Sequence, residues 1–253
     1  MRKILIIGIG AGDPDYLTMQ AVKALNAADV FFIPDKGAEK AALRQRRMAI
    51  CERFVTGTSH RFVDVKLPAR NADFADYRSN VAEWHTKIEE SYVELLTQEL
   101  GEGECGAFLV WGDPTLYDST LRIIDSIRSK ARFALDFDVI PGISAVQALA
   151  AKHRIALNEI GGAVHITTGR KLTEGFPDNA DSVVVLLDGE QAFKRLDDAD
   201  LDIYWGAYVG APEEILLAGK LSDMTGDIET IRDAARRKNG WIMDTYILRK
   251  AGK

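Results

Sequence analysis

The chain has 253 residues, 47% hydrophobic and 28% charged, the balance of a soluble globular protein long enough for one large α/β domain or two smaller ones. Its net charge of -6 argues against a general nucleic-acid binder, and no apolar run is long enough to span a membrane. Cys51 and Cys105, and the scattered His60, His85, His153 and His165, form neither a disulfide framework nor a metal-ligand spacing, so no metal is expected and a reducing cytoplasm is.

Arg2 and Lys3 lead into Ile4-Leu-Ile-Ile7, a short apolar run that predicts a buried parallel strand rather than a signal peptide. It runs into Gly8-Ile-Gly-Ala-Gly-Asp-Pro14, and Leu17, Ala21, Val22, Leu25 and Ala28 then form a helical stripe with Asp15 as its expected N-cap. Val30–Ile33 predicts the next strand, completing a βαβ unit. The turn departs from the dinucleotide fingerprint, whose third glycine is replaced by Asp13. A carboxylate there opposes a phosphate at the helix amino end and favours a cationic or zwitterionic ligand such as S-adenosylmethionine.

From Lys36 to Arg61 the chain reverses its overall sign, with Lys36, Lys40, Arg44, Arg46, Arg47, Arg53 and Arg61 against Glu39 and Glu52. Such a run is either a solvated helix face or a site for a polycarboxylate, with Lys36, Arg44, Arg46 and Arg47 the substrate-binding candidates. Tyr77, Val81, Trp84, Ile88, Tyr92 and Leu95 predict one long amphipathic helix from Phe74 to about Leu100. Ala107–Val110 predicts a central strand, and Leu121, Ile124 and Ile127 the helix after it. Between them lies Trp111-Gly-Asp-Pro-Thr-Leu-Tyr-Asp-Ser-Thr120, at a strand's carboxyl end, where open α/β sheets place ligands. Gly112 admits close approach to the backbone, Asp113 offers a carboxylate to an ammonium or hydroxyl, and Asp118 reads as the N-cap of the next helix.

Phe137–Ile140 predicts another strand, ending in Pro141-Gly-Ile-Ser-Ala145 and a short helix. The pattern changes between Ala150 and Gly162, which suggests domains 1–152 and 153–253. Beyond it, strands are expected at Ala163–Thr168, Ser182–Leu187, Ile203–Val209, Glu214–Gly219 and Trp241–Leu248, with helices at Glu190–Leu196 and Ile228–Lys238. The second half therefore reads as a mixed sheet.

Three motifs in order, Gly8-Ile-Gly-Ala-Gly-Asp-Pro-Asp-Tyr-Leu-Thr18, Gly112-Asp-Pro-Thr-Leu-Tyr117 and Pro141-Gly-Ile-Ser-Ala145, carry a resemblance to the tetrapyrrole methylases of corrin and sirohaem biosynthesis. Looser matches follow at Thr167-Thr-Gly169, Leu187-Asp-Gly189 and Gly206 to Gly219. The resemblance implies a two-domain class III α/β fold, with a mainly parallel N-terminal sheet and a mixed C-terminal one, a homodimer, and S-adenosylmethionine between the two domains. The cofactor residues it implies are Ala11, Gly112, Asp113, Thr115, Tyr117, Ser144, Ala145, Leu187, Asp188, Ala207 and Tyr208. Ala11 stands where many relatives carry proline, and Asp188 where methionine is frequent, so contacts there are expected through the backbone of Leu187 and Asp188. Phe31–Gly37 and Trp111–Thr120 resemble most the branch that methylates C1 of precorrin-5 with loss of acetate, on the aerobic cobalamin route.

That reaction needs a general base and a carbonyl-polarising donor, for which Asp118 and Tyr117 are the candidates. Three other readings compete: methylation at another tetrapyrrole position, a nicotinamide-dependent oxidoreductase, and a non-catalytic tetrapyrrole-binding module. Binding of S-adenosylhomocysteine rather than NAD, followed by multiple turnover, separates the last two from a methyltransferase.

Overall fold

The computed structural model describes residues 1–35, 41–66, 77–196 and 200–250. Strands β1 (Arg2–Gly8), β2 (Val30–Asp35) and β4 (Cys105–Val110) hold the apolar runs of the first half. With β3 (Arg61–Lys66) and β5 (Leu135–Ile140) they form a parallel sheet in the order β3-β2-β4-β1-β5. Because side chains alternate along a strand, β1 feeds two cores. Ile4 and Ile6 pack with Ile88, Tyr92 and Leu96 of α3 (Tyr77–Glu99) and with Ile123, Ile124 and Ile127 of α4 (Thr120–Ser129). Leu5 and Ile7 pack with Ala21 and Leu25 of α1 (Met19–Leu25) and with Ile50 and Cys51 of α2 (Ala41–Phe54). Continuous apolar strands covered on both faces are what a parallel sheet requires.

Several local expectations change. The N-cap of α1 is Thr18, whose hydroxyl accepts from Ala21 N at 3.0 Å; Asp15 sits in a short 3-10 turn and pairs with Arg53 at 2.5 Å. Within the basic run lies α2, and the edge strand β3 begins at its last residue, Arg61. Lys36 and Lys40, the expected helix start at Phe74, and the side chains of Tyr77 and Val81 lie outside the described residues.

The second half carries β6 (Val164–Thr168), β7 (Ser182–Leu186), β8 (Leu201–Ala207), β9 (Ile215–Lys220) and β10 (Asp244–Lys250) in the order β6-β7-β10-β8-β9. Only β6 and β7 pair in parallel, so the sheet is mixed. Around it stand α5 (Ala145–His153), α6 (Gly169–Leu172) and α7 (Leu221–Asn239), the last starting a full two turns before the expected Ile228. A 3-10 turn at Ala192–Arg195 replaces the helix expected over Glu190–Leu196. Its core gathers Val183, Val185, Phe193, Ile203, Trp205, Ile228, Tyr246 and Leu248.

The chain divides into two compact units, Met1–Gly10 with Pro14–Ile143, and Ala11–Asp13 with Ser144–Lys253. The division falls at Ile143/Ser144 rather than at 152/153, because α5 packs on β8 and β10 of the second sheet. Among the described residues no helix is long and apolar enough to cross a membrane, and no His, Cys, Asp and Glu residues cluster to hold a metal.

Candidate functional site

In the first unit, neighbouring strands β4, β1 and β5 end side by side, and each carboxyl end carries a glycine. A Cβ added to Gly142 would stand 2.1 Å from the Gly112 carbonyl oxygen, and one added to Gly8 would stand 2.6 Å from Gly142 N. The three turns therefore meet backbone to backbone. Gly112 N donates to Gly10 O at 2.8 Å and accepts the return bond from Gly10 N at its own carbonyl, with Gly112 in the left-handed region at φ 64°.

Asp113 is the clamp of this floor. Its Oδ1 accepts from Thr115 N at 2.8 Å and from the Thr115 hydroxyl, and its Oδ2 accepts from Gly142 N at 3.0 Å. Burial alone pushes this carboxyl up, and those donors outweigh it, so it sits below the ordinary aspartate value. Both oxygens are engaged, Oδ1 within its own turn and Oδ2 at the Gly142 turn, so the carboxylate ties the two turns together. Thr115 likewise spends its hydroxyl on Asp113.

Tyr117 is the reverse case. It is 46% exposed in a left-handed conformation at φ 54°, a geometry that a bulky residue adopts only when held there. Partial burial raises its phenol, which stays a donor at neutral pH. Asp118 Oδ1 accepts from Thr120 N at 2.7 Å, which caps α4 although Ser119 is the formal N-cap and makes no side-chain bond.

Behind this turn lies Arg47, 6% exposed. Its Nε donates to Leu109 O at 3.0 Å, its Nη1 to Leu43 O at 3.3 Å, and its guanidinium lies 5.1 Å from the centre of the Trp111 ring. Burial lowers its pKa to about 10 against the opposing charge of Asp118. A side chain so enclosed braces the end of β4 rather than reaching for a substrate carboxylate. Arg44 is also engaged, pairing with Asp64 at 2.8 Å, as Arg61 pairs with Glu104 at 2.8 Å. Of the run's substrate candidates, Arg44 and Arg47 are committed within the unit, Arg46 is half-buried on α2, and Lys36 lies outside the described residues. Burial and pairing were not visible in a charge count. Gly142 and Trp111 were not named as site residues from sequence, although both lay in the stretches that carry the motifs.

In the second unit, Ser144 is the buried N-cap of α5; its Oγ accepts from Val146 N at 3.1 Å and donates to Gln147 Oε1 at 2.5 Å, with Ala145 opening the helix. Gly12 lies against Val209 O, 2.6 Å from where its Cβ would be, which sets Ala11–Asp13 beside the loop after β8. Ala207, the last residue of β8, and Tyr208, the first of that loop, are buried; Tyr208 has φ 51° and its hydroxyl donates to Trp241 O at 2.5 Å. Leu187 has φ 54° and is 69% exposed, whereas the next residue, Asp188, is buried. Tyr117, Leu187 and Tyr208 are half of the six non-glycine residues with positive φ among those described, and such outliers gather at functional sites.

A family model of tetrapyrrole (corrin/porphyrin) methylases matches residues 3–225. The chain belongs to the tetrapyrrole methylase family. Among its relatives is a precorrin-6A synthase [deacetylating] from Sinorhizobium sp., 52% identical over 250 residues, which cover 99% of this chain and 96% of the relative. A solved structure from Corynebacterium diphtheriae described as related to cobalamin synthesis (CobF) superposes with TM-score 0.85 at 36% identity over 100% of both chains. The uroporphyrin-III C-methyl transferase of Thermus thermophilus, solved in complex with S-adenyl homocysteine, shares the methylase fold at TM-score 0.58 and 16% identity, covering 97% of this chain and 96% of that one. The two sheets, one parallel and one mixed, are those of the class III methylases.

Proposed function

We propose that this chain is an S-adenosylmethionine-dependent C-methyltransferase that methylates C1 of precorrin-5 with loss of acetate, giving precorrin-6A. The observation that carries the reading is the 52% identity to a deacetylating precorrin-6A synthase along 99% of the chain. The residues present fit the cofactor of the family. A floor bare of side chains at Gly8, Gly112 and Gly142 suits a ligand held by backbone groups. On the second unit, exposed Leu187 gives apolar surface of the kind a purine ring uses, beside the buried Asp188. Gly112, Asp113, Thr115 and Tyr117 on the first unit, and Ala11, Ser144, Ala145, Leu187, Asp188, Ala207 and Tyr208 on the second, are the residues we assign to holding it, mostly through their backbone. When bound, S-adenosylmethionine supplies an electrophilic methyl group.

Deacetylation falls to the chain's own side chains. Water adds to the acetyl carbonyl as a base takes its proton; the C–C bond to C1 then breaks, acetate departs, and the electron pair stays on C1. Asp118 is our candidate base, through Oδ2, since Oδ1 is held by Thr120 N. Tyr117 is the candidate donor to the developing oxyanion. Positioning of the reacting carbon supplies most of the remaining acceleration. Lys36 and Arg46, in the basic run, are our candidates for the substrate's carboxylates.

Incubation with precorrin-5 and methyl-labelled S-adenosylmethionine tests this directly. The expected product carries one labelled methyl group and has lost the acetyl group, with acetate released over many turnovers. A methylated product that keeps its acetyl group assigns the chain to another tetrapyrrole position, and binding of NAD in place of S-adenosylhomocysteine removes the methyltransferase reading. We also read the protein as cytoplasmic and as a homodimer, on the family resemblance; light scattering of the purified protein checks the second.

A further inference from the structure

Beneath the Leu187–Asp188 turn lies a buried polar network that the reaction above does not use. Asp188 is 5% exposed, and its Oδ2 accepts from Ala192 N at 2.7 Å and from the Tyr246 hydroxyl at 2.6 Å. Its other oxygen lies against Gly169, where an added Cβ would stand 2.2 Å away. Arg232 Nη2 donates to the Asp188 carbonyl at 3.3 Å, while Arg232 Nε donates at 2.9 Å to Asp244 Oδ2, which also accepts from Trp205 Nε1 at 3.1 Å. One residue is thus fixed from the 3-10 turn, from β10, from α6 and from α7. Two of the looser motifs, Thr-Thr-Gly169 and Leu-Asp-Gly189, meet at its carboxyl group.

The residue held so firmly follows Leu187, whose left-handed backbone is unfavourable for a side chain of that kind and persists only where its surroundings over-determine it. An apolar side chain at position 188 would leave the Tyr246 hydroxyl and Ala192 N buried without an acceptor. Tyr246 is itself enclosed: it is buried, and its ring packs edge-on to Phe193 at 5.2 Å between centroids. The network therefore stores in the core the geometry that the exposed turn presents.

We propose that Tyr246 is a positioning residue for the S-adenosyl cofactor, acting through Asp188 to hold the Leu187 turn in its left-handed form. This rests on the methyltransferase reading. Pre-organised binding groups cost less to order when the ligand arrives, so loosening the turn weakens cofactor binding without touching the substrate's contacts.

Calorimetry with S-adenosylhomocysteine on the full chain tests it, alongside thermal melts and steady-state kinetics. Tyr246→Phe keeps the ring and removes the hydroxyl; its Kd is expected to rise about tenfold, the equivalent of 1.4 kcal/mol. The KM for S-adenosylmethionine should rise with it, while kcat at saturating cofactor is retained. Asp188→Asn keeps an acceptor at the Oδ2 position and should lose several-fold less affinity than Asp188→Ala, which loses it as Tyr246→Phe does. This rescue by the conservative change is what a purely structural role would not give, and it carries the test should Tyr246→Phe fail to fold. Equal affinity for Tyr246→Phe and the unaltered chain overturns the proposal alone. Equal loss in Asp188→Asn and Asp188→Ala also overturns it. An unaltered chain that binds no S-adenosylhomocysteine overturns the methyltransferase reading as well.

Discussion

Asp118 and Arg47 carry charges a few elements apart in sequence and are neighbours at the end of β4, yet the structure gives them different tasks. Asp118 caps α4 through Oδ1, and we proposed its other oxygen as the base of deacetylation. Asn caps a helix as well as Asp does, so Asp118→Asn should fold normally and bind S-adenosylhomocysteine. As the base of deacetylation, the variant should release acetate at least about a hundredfold more slowly; acetate release near the normal rate would leave Asp118 a cap alone. Arg47 was a substrate candidate while only its charge was known. Buried under Trp111 and bonded to Leu109 O, it is expected to act on stability. Arg47→Met keeps the stem and loses those polar contacts, and should cost on the order of 2 kcal/mol in denaturant unfolding. Arg44→Ala, which breaks only an exposed pair with Asp64, should cost less than about 1 kcal/mol. Comparable losses from the two would contradict the contrast.

At the scale of elements, three strand ends held by backbone contact define the first unit's turns. Gly142→Ala puts a methyl group into the Gly112 carbonyl, and backbone cannot yield as a long side chain does. The sheet behind it rests on cores of Ile, Leu, Val and Phe that this change does not reach. The expected result is a folded protein, by far-ultraviolet circular dichroism, that has lost most affinity for S-adenosylhomocysteine. Retained affinity would show that the close approach of β1, β4 and β5 ends is not required for binding. The sequence expectations fared best where elements are buried on both sides. They fared worst over α2 and β3, where a charged stretch left the helix as one of two readings and gave no sign of the edge strand.

For the molecule as a whole, acid stability has an identifiable contributor. Glu104 accepts from Arg61 Nη1 at 2.8 Å, from Arg61 Nη2 at 2.9 Å and from Gly101 N at 2.6 Å. The Arg61 hydrogen bonds, first, and that of Gly101 lower its carboxyl from 4.5 to about 2. The unfolded chain takes up this proton before the folded one does, so the contribution is complete above about 4.5 and is lost as pH falls toward about 2. Glu104→Gln should flatten the pH dependence of unfolding free energy in that window, and parallel curves for the two proteins would exclude the assignment. Much of the architecture was already written along the chain: alternating βα units, the glycine-rich ends of β1 and β4, and the mixed second sheet follow from hydrophobic period and turn residues, which act locally. The family, too, was legible, since its three motifs are contiguous stretches. What tertiary structure alone decided is which polar groups are spent on the protein itself. Asp113 spends one oxygen on its own loop and the other on the Gly142 turn, Arg47 is drawn into the interior, and Asp188 meets Tyr246 across a sequence separation of 58. A side chain's partners and its burial are set by strands that pair and helices that pack from distant parts of the chain, and no local pattern encodes them.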